Sequence, residues 1–236
     1  MQTFKKGITV DIHDVDFNGV CRASALLKYI QSAAQLQLTE NGMSYERLQD
    51  MSRAFIISKI RIELDEAVRA YEPLVAETFP CISRGFSFYR CYALHREGKT
   101  VGRAIAVWAL IDTETKRLVR VNDFDLNLPT YDAWEMDFTH FSVPDTAKRI
   151  GAYTVCYADL DQNMHVNNTK YADIFSNFLP LDGKRISTMA ISYVSEARYG
   201  DVLDVFMAEE NGTYYLRTVR PDGRTNAEAE ITLTDI

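Results

Sequence analysis

The sequence predicts an α+β fold made of two successive units, each a long helix packed on an antiparallel sheet of long strands. Three observations carry this expectation. Helical periodicity is confined to one segment in each half, strand periodicity fills most of the remainder, and the segment that opens the first helix returns in the second half. The chain has 236 residues, 47% of them apolar and 25% charged. That is the make-up of a globular protein long enough to bury a core without disulfides.

In the first half, Leu26, Leu27, Ile30, Ala33, Ala34 and Leu38 recur at helical spacing, and "ENG" at 40–42 supplies a glycine stop. Strand patterns follow. "KIRIEL" (59–64) alternates polar and apolar residues, and "GFSFYRCYALHRE" (85–97) and "TVGRAIAVWALID" (100–112) flank a Gly-Lys turn. "DTETKR" (112–117) predicts a second turn, into a short strand "LVRV". Residues 122–150, with two prolines, many acids and no sustained period, predict a linker that packs through its aromatics. The expected division is therefore 1–121, a linker 122–150, and 151–236. The second unit opens with a strand at 152–157. Its helix carries Tyr171, Ile174, Phe175, Phe178 and Leu179 on one face and stops at Pro180. Strands are expected near 187–196, 201–210, 213–220 and 225–234, the middle two joined by Asn211-Gly212.

The halves correspond residue by residue at the helix entrances. "DVDFNGV" (14–20) lies on "DLDQNMH" (159–165): Asp14 on Asp159, Asp16 on Asp161, Asn18 on Asn163. "LKYIQSA" (27–33) resembles "TKYADIF" (169–175), and "EAVRAYEPL" (66–74) resembles "SEARYGDVL" (195–203). Three matches in one order point to duplication. His165 has Val20 opposite it, so a titratable group stands in one copy only.

A net charge of −7 and a pI near 5.2 argue against nucleic acid as a partner. No window approaches the roughly 18 apolar residues of a membrane span, and "MQTFKKGITV" lacks a signal-peptide run. Cys21, Cys81, Cys91 and Cys156 form no CxxC pair and no His/Cys cluster. The expectation is a cytoplasmic protein with no cofactor and no metal.

The segment "DLDQNMHVNNTKY" (159–171), together with "SYVSEARYGDVL" (192–203) and "VWALIDTETKRLVRV" (107–121), resembles the acyl-acyl carrier protein (acyl-ACP) thioesterases over nearly the whole chain. The resemblance implies two fused hotdog folds, with the first unit binding the acyl chain and the second catalytic. It implies hydrolysis of the thioester between a fatty acyl chain and the phosphopantetheine arm of acyl carrier protein. Asp161, Asn163, His165 and Glu196 take the catalytic positions. Some family members have a cysteine after the glutamate; here that residue is Ala197, which excludes a nucleophilic cysteine there.

These residue types suit the reaction. Glu196 or His165 can accept a proton from water; Asn163 and His165, two apart on an extended segment, can donate to the oxyanion; Asp161 can orient them. The helix-start amides near Asn167 and Asn168 would add partial positive charge. Taken singly, Asp161 and Asn163 read as turn residues and Asn167 and Asn168 as caps; His13, His95 and His140 show no partner pattern. Two other functions compete: a hotdog dehydratase or hydratase, and a non-catalytic acyl-chain sensor. Fusing two hotdogs satisfies the pairing that single ones meet by dimerising, so monomer and homodimer both fit. The pairs Lys148/Arg149 and Lys184/Arg185 read as solvated surface rather than as contacts to acidic ACP. Phe86, Phe88, Tyr89 and Tyr92 read as sheet packing, some of them beside an acyl tunnel.

Overall fold

The computed structural model describes residues 3–134, 136 and 141–236; the remaining linker residues, His140 among them, lie outside the described set. The first unit comprises β1 (Phe4–Thr9), α1 (Ala23–Glu40), α2 (Tyr45–Asp50), β2 (Arg53–Leu64), β3 (Pro73–Pro80), β4 (Phe88–Arg96), β5 (Lys99–Asp112) and β6 (Leu118–Val119). The second comprises β7 (Lys148–Thr154), α3 (Lys170–Ser176), β8 (Lys184–Tyr193), β9 (Val202–Glu210), β10 (Thr213–Val219) and β11 (Thr225–Asp235).

Among the described residues, all eleven strands form one sheet in the order β1-β3-β4-β5-β2-β8-β11-β10-β9-β7, with β6 added on β5. Its two halves mirror one another, strand for strand, about the antiparallel β2–β8 pair. That pair runs from Lys59 opposite Ser192 to Glu63 opposite Thr188. Each half is a hotdog, and the chain is the α+β double hotdog that its sequence predicts.

The apolar stripe of α1 explains the packing. Leu26, Leu27, Ile30, Ala33 and Ala34 are buried, and the helix lies on β1, β3 and β4. Each large aliphatic side chain contributes about 1.5–3 kcal/mol of burial. One cluster of buried side chains runs through both units, from Val10 and Leu27 to Phe175 and Ile231.

Several boundaries depart from expectation. The helix of the second unit stops at Ser176 rather than running to Leu179, because its last turn tightens. Phe178 N–H donates to Phe175 O and Leu179 N–H to Ser176 O, one residue nearer than in an α-helix. The Phe178 ring then covers Gly151 in β7, where an added Cβ would sit 2.8 Å from it. The strand expected at 152–157 is β7, which begins at Lys148 inside the expected linker. Tyr131 and Trp134 stack edge-on against Phe79 with centroids 5.9 and 5.3 Å away. Strands β1 and β3 and helix α2 have no counterpart in the sequence reading.

No helix among the described residues is long and apolar enough to cross a membrane.

Candidate active site

The loop from Asp159 to Asn167 is built by the same hydrogen bonds as the loop from Asp14 to Arg22. Asp161 N–H donates to His165 O at 2.8 Å, as Asp16 N–H does to Val20 O at 2.8 Å. Asn167 N–H donates to Asp159 O, and Arg22 N–H to Asp14 O. A tyrosine hydroxyl holds each leading aspartate: Tyr153 to Asp159 at 2.9 Å and Tyr29 to Asp14 at 2.6 Å. Asp159 is thus a buried structural residue. At the turn, Met164 adopts φ 63° where the first copy has Gly19 at φ 71°. Asn163 and His165 are therefore presented by a tight turn, not by the extended segment expected.

Asp161 shapes that turn through the backbone. Its Oδ1 accepts from the N–H of Asn163 at 2.8 Å and of His165 at 3.3 Å, and its Oδ2 faces Asn163 Nδ2 at 3.5 Å. In the first copy Asp16 Oδ1 likewise accepts from Asn18 and Val20. The paired asparagines diverge. Asn18 Nδ2 donates to Leu181 O and Lys184 O, tying the units together. Asn163 Oδ1 instead accepts from Tyr45 Oη at 3.4 Å, and Gln49 Nε2 donates to the same hydroxyl at 3.0 Å. Tyr45 and Gln49 belong to α2 of the opposite unit, so nothing local in the sequence pointed to them.

Glu196 arrives from the turn after β8. His165 Nε2 and Glu196 Oε2 are 3.0 Å apart, with side-chain exposures of 25% and 63%. A bridge between His165 and Arg198 fixes the approach of the two segments, and Val166 N–H donates to Ala197 O at 3.0 Å. The first copy repeats this with a bridge between Val20 and Arg69 and Cys21 N–H to Val68 O. The register places Ala67 where the second copy has Glu196. Both members of the His–carboxylate pair are therefore missing from the first copy, although its loop is intact.

The structure thus brings together all four residues singled out in the sequence. Asn163, His165 and Glu196 line a cavity of about 1000 Å³. The rest of its wall comes from the first unit, including Ala34 and Leu38 of α1, Phe55 of β2, Phe88 and Tyr89 of β4, and Trp108 of β5. Phe86 and Tyr92 lie outside this lining.

Asn167 and Asn168, where a helix-end contribution is expected, lie outside the cavity lining. The helix α3 has only seven residues. Asn167 Oδ1 instead accepts from Thr169 N–H and Oγ1, and Asn168 O from Tyr193 Oη. His95 pairs with Glu77 at 2.7 Å. Arg185 donates to Leu64 O and Asp65 O, and Arg149 pairs with Asp204.

Residues 1–126 match the family model described as the acyl-ACP thioesterase N-terminal domain, and residues 142–235 match that of the C-terminal domain. No curated protein sequence matches the chain. Among solved structures, it is similar to an acyl-ACP thioesterase from Bacteroides thetaiotaomicron. That pair has 21% identity and a TM-score of 0.91, with 98% of each chain covered. It is also similar to the 12:0-ACP thioesterase from Umbellularia californica, at 17% identity and a TM-score of 0.82. There the match covers 99% of this chain and 98% of the other.

Proposed function

The chain belongs to the acyl-ACP thioesterase family, and from that premise we propose that it hydrolyses fatty acyl thioesters of acyl carrier protein at the Asn163–His165–Glu196 cluster. One observation carries the assignment of the site. The His165–Glu196 contact of 3.0 Å opens on a cavity whose walls come from the other unit. A carboxylate–imidazole pair at the mouth of a mainly apolar slot suits a substrate with a reactive head and a long tail.

In this reading the acyl chain lies in the first unit and the thioester carbonyl reaches Asn163. The Asn163 amide is held on one side by Tyr45 and on the other by Asp161, which leaves an N–H for the carbonyl oxygen. Glu196 Oε2 faces His165 and its other oxygen takes the proton of the attacking water. Water adds to the carbonyl carbon, negative charge collects on the carbonyl oxygen opposite Asn163, and the C–S bond breaks. The proton taken from water passes to the departing sulfur, giving fatty acid and free thiol. His165, donating to Glu196, keeps the carboxylate aimed. Neither the ordering role of Asp161 nor the chemistry needs a cysteine, and Ala197 is fully buried behind the site.

The test is thiol release from acyl-ACP by the wild-type protein and by Glu196→Ala and His165→Ala. The expected outcome is turnover by wild type and a loss of about 100- to 1000-fold in either variant. No release by wild type, or full activity in both variants, would sink the proposal.

A further inference from the structure

The cavity is not apolar throughout. Arg90 of β4 lines it while only 6% exposed. Its Nη1 donates to Gln37 Oε1 of α1 at 2.6 Å and to Thr78 Oγ1 of β3 at 3.0 Å. Both partners are neutral, and no carboxylate pairs with the guanidinium among the described residues. Burial pulls its pKa below the ordinary arginine value. A buried cation facing only neutral oxygens is costly unless something else supplies charge or a lone pair.

Two further donors stand on the same wall. Gln31 and Trp108 both line the cavity, and Gln31 Nε2 and Trp108 Nε1 are buried with no hydrogen-bond partner. Trp108 is paired with Phe88 across β5 and β4, one step along the same face from Arg90, which is paired with Ala106. The group thus offers buried hydrogen-bond donors to an oxygen-bearing ligand, and Tyr92 Oη, likewise buried without a hydrogen-bond partner, follows Arg90 on the same face of β4.

Its position sets the distance. Glu196 follows β8, and β8, β2, β5 and β4 are successive neighbours in the sheet. Arg90 therefore stands three strand spacings from the catalytic end, about 14 Å across the sheet. We propose that Arg90, with Gln31 and Trp108, forms a polar receptor in the acyl cavity that selects medium-length acyl chains carrying a distal oxygen function, a hydroxyl or a carboxylate. The inference rests on the thioesterase reading for its substrate, but the receptor itself is a property of the cavity.

Binding and turnover separate the two. Non-hydrolysable S-alkyl pantetheine thioethers of medium chain length, plain or with a terminal hydroxyl or carboxylate, are titrated against the full-length protein by calorimetry. The same chains are assayed as acyl-ACP thioesters. Wild type is expected to bind an oxygenated thioether at least about 10-fold more tightly than the plain one of equal length. Arg90→Met should abolish or reverse that ratio, and Thr78→Val provides a second variant should Arg90→Met fold poorly. Equal binding of plain and oxygenated chains by wild type at every length, or a ratio unmoved in a folded Arg90 variant, overturns the receptor and leaves Arg90 as a tie between α1 and the sheet. A binding preference without turnover of any thioester upholds the receptor and overturns the hydrolase reading instead.

Discussion

Met164 occupies a left-handed conformation that its side chain disfavours, between two residues of the candidate site. The strain, about 1–2 kcal/mol, is held by Asp161, whose Oδ1 ties down the amides on both sides. Two predictions belong here. Met164→Gly should keep activity and raise the melting temperature, whereas Met164→Val should lower both, since a β-branched residue at positive φ is strongly disfavoured. Thermal melts and thiol release on the same samples decide it. Asp161→Asn retains an oxygen for the two amides and should keep more activity than Asp161→Ala, which leaves the turn unheld; an equal loss in both would show that the charge, not the acceptor, matters. At this scale most of the site was legible. His165 stood out because a second copy of its loop lies in the same chain with valine in its place, whereas Asp161 and Asn163, shared by both copies, were singled out by the family resemblance. Tyr45 was not legible, because what makes it matter is a contact 118 positions away in sequence.

Elements with a strong period were read well, and those defined by their neighbours were not. The stripe of α1 gave its span to within a residue or two, since Leu26, Leu27 and Ile30 all face the sheet. Strand β3, "PLVAETFP", is bounded by prolines that break any local pattern, and β1 is a short edge strand that pairs, among the described residues, with β3 alone. Their pairing exists only once the sheet forms. Leu27→Ala should cost about 2–5 kcal/mol in denaturant unfolding, because Leu27 is fully buried under α1. Where β1, β3 and β4 meet, Glu77 makes hydrogen bonds with Thr3 and His95 and an ion pair with Lys5. Burial works to raise its pKa, but these partners outweigh it and hold the carboxyl below its ordinary value of 4.5. A depressed folded-state pKa means stability that is present above that ordinary value and lost as pH falls through the lower one. The melting temperature of wild type should therefore fall more steeply on acidification than that of Glu77→Gln, and parallel curves would refute the linkage.

At the scale of the whole molecule, the candidate site is divided between units: Asn163, His165 and Glu196 come from the second, and most of the cavity wall comes from the first. Only the β2–β8 pairing, reinforced by the Arg61–Glu230 ion pair at 3.2 Å, makes the sheet continuous. Expressed separately, residues 1–126 and 142–236 would each expose a long central strand as an edge, which invites aggregation. Neither half alone is expected to release thiol in the acyl-ACP assay, and size-exclusion chromatography should show both as aggregates. Turnover by the second half alone would show that the cavity of the first is dispensable. Sequence periodicity named the two sheets, but it carries no record of which strand meets which, so the shared cavity waited on the fold.

The loop from Asp14 to Arg22 keeps the backbone bonds that close its twin, from Asp16, Gly19, Cys21 and Arg22, while lacking the histidine and the glutamate. It also borders a second cavity of about 440 Å³, with Val20 in its lining. A tight turn of this kind is hard to acquire and easy to populate, because the backbone must be bent before any side chain can be aimed. Val20→His with Ala67→Glu would set an imidazole and a carboxylate on a frame already bent to hold them. Duplication has left this protein with a spare socket, wired but without its contacts, two substitutions away from a second His–Glu pair.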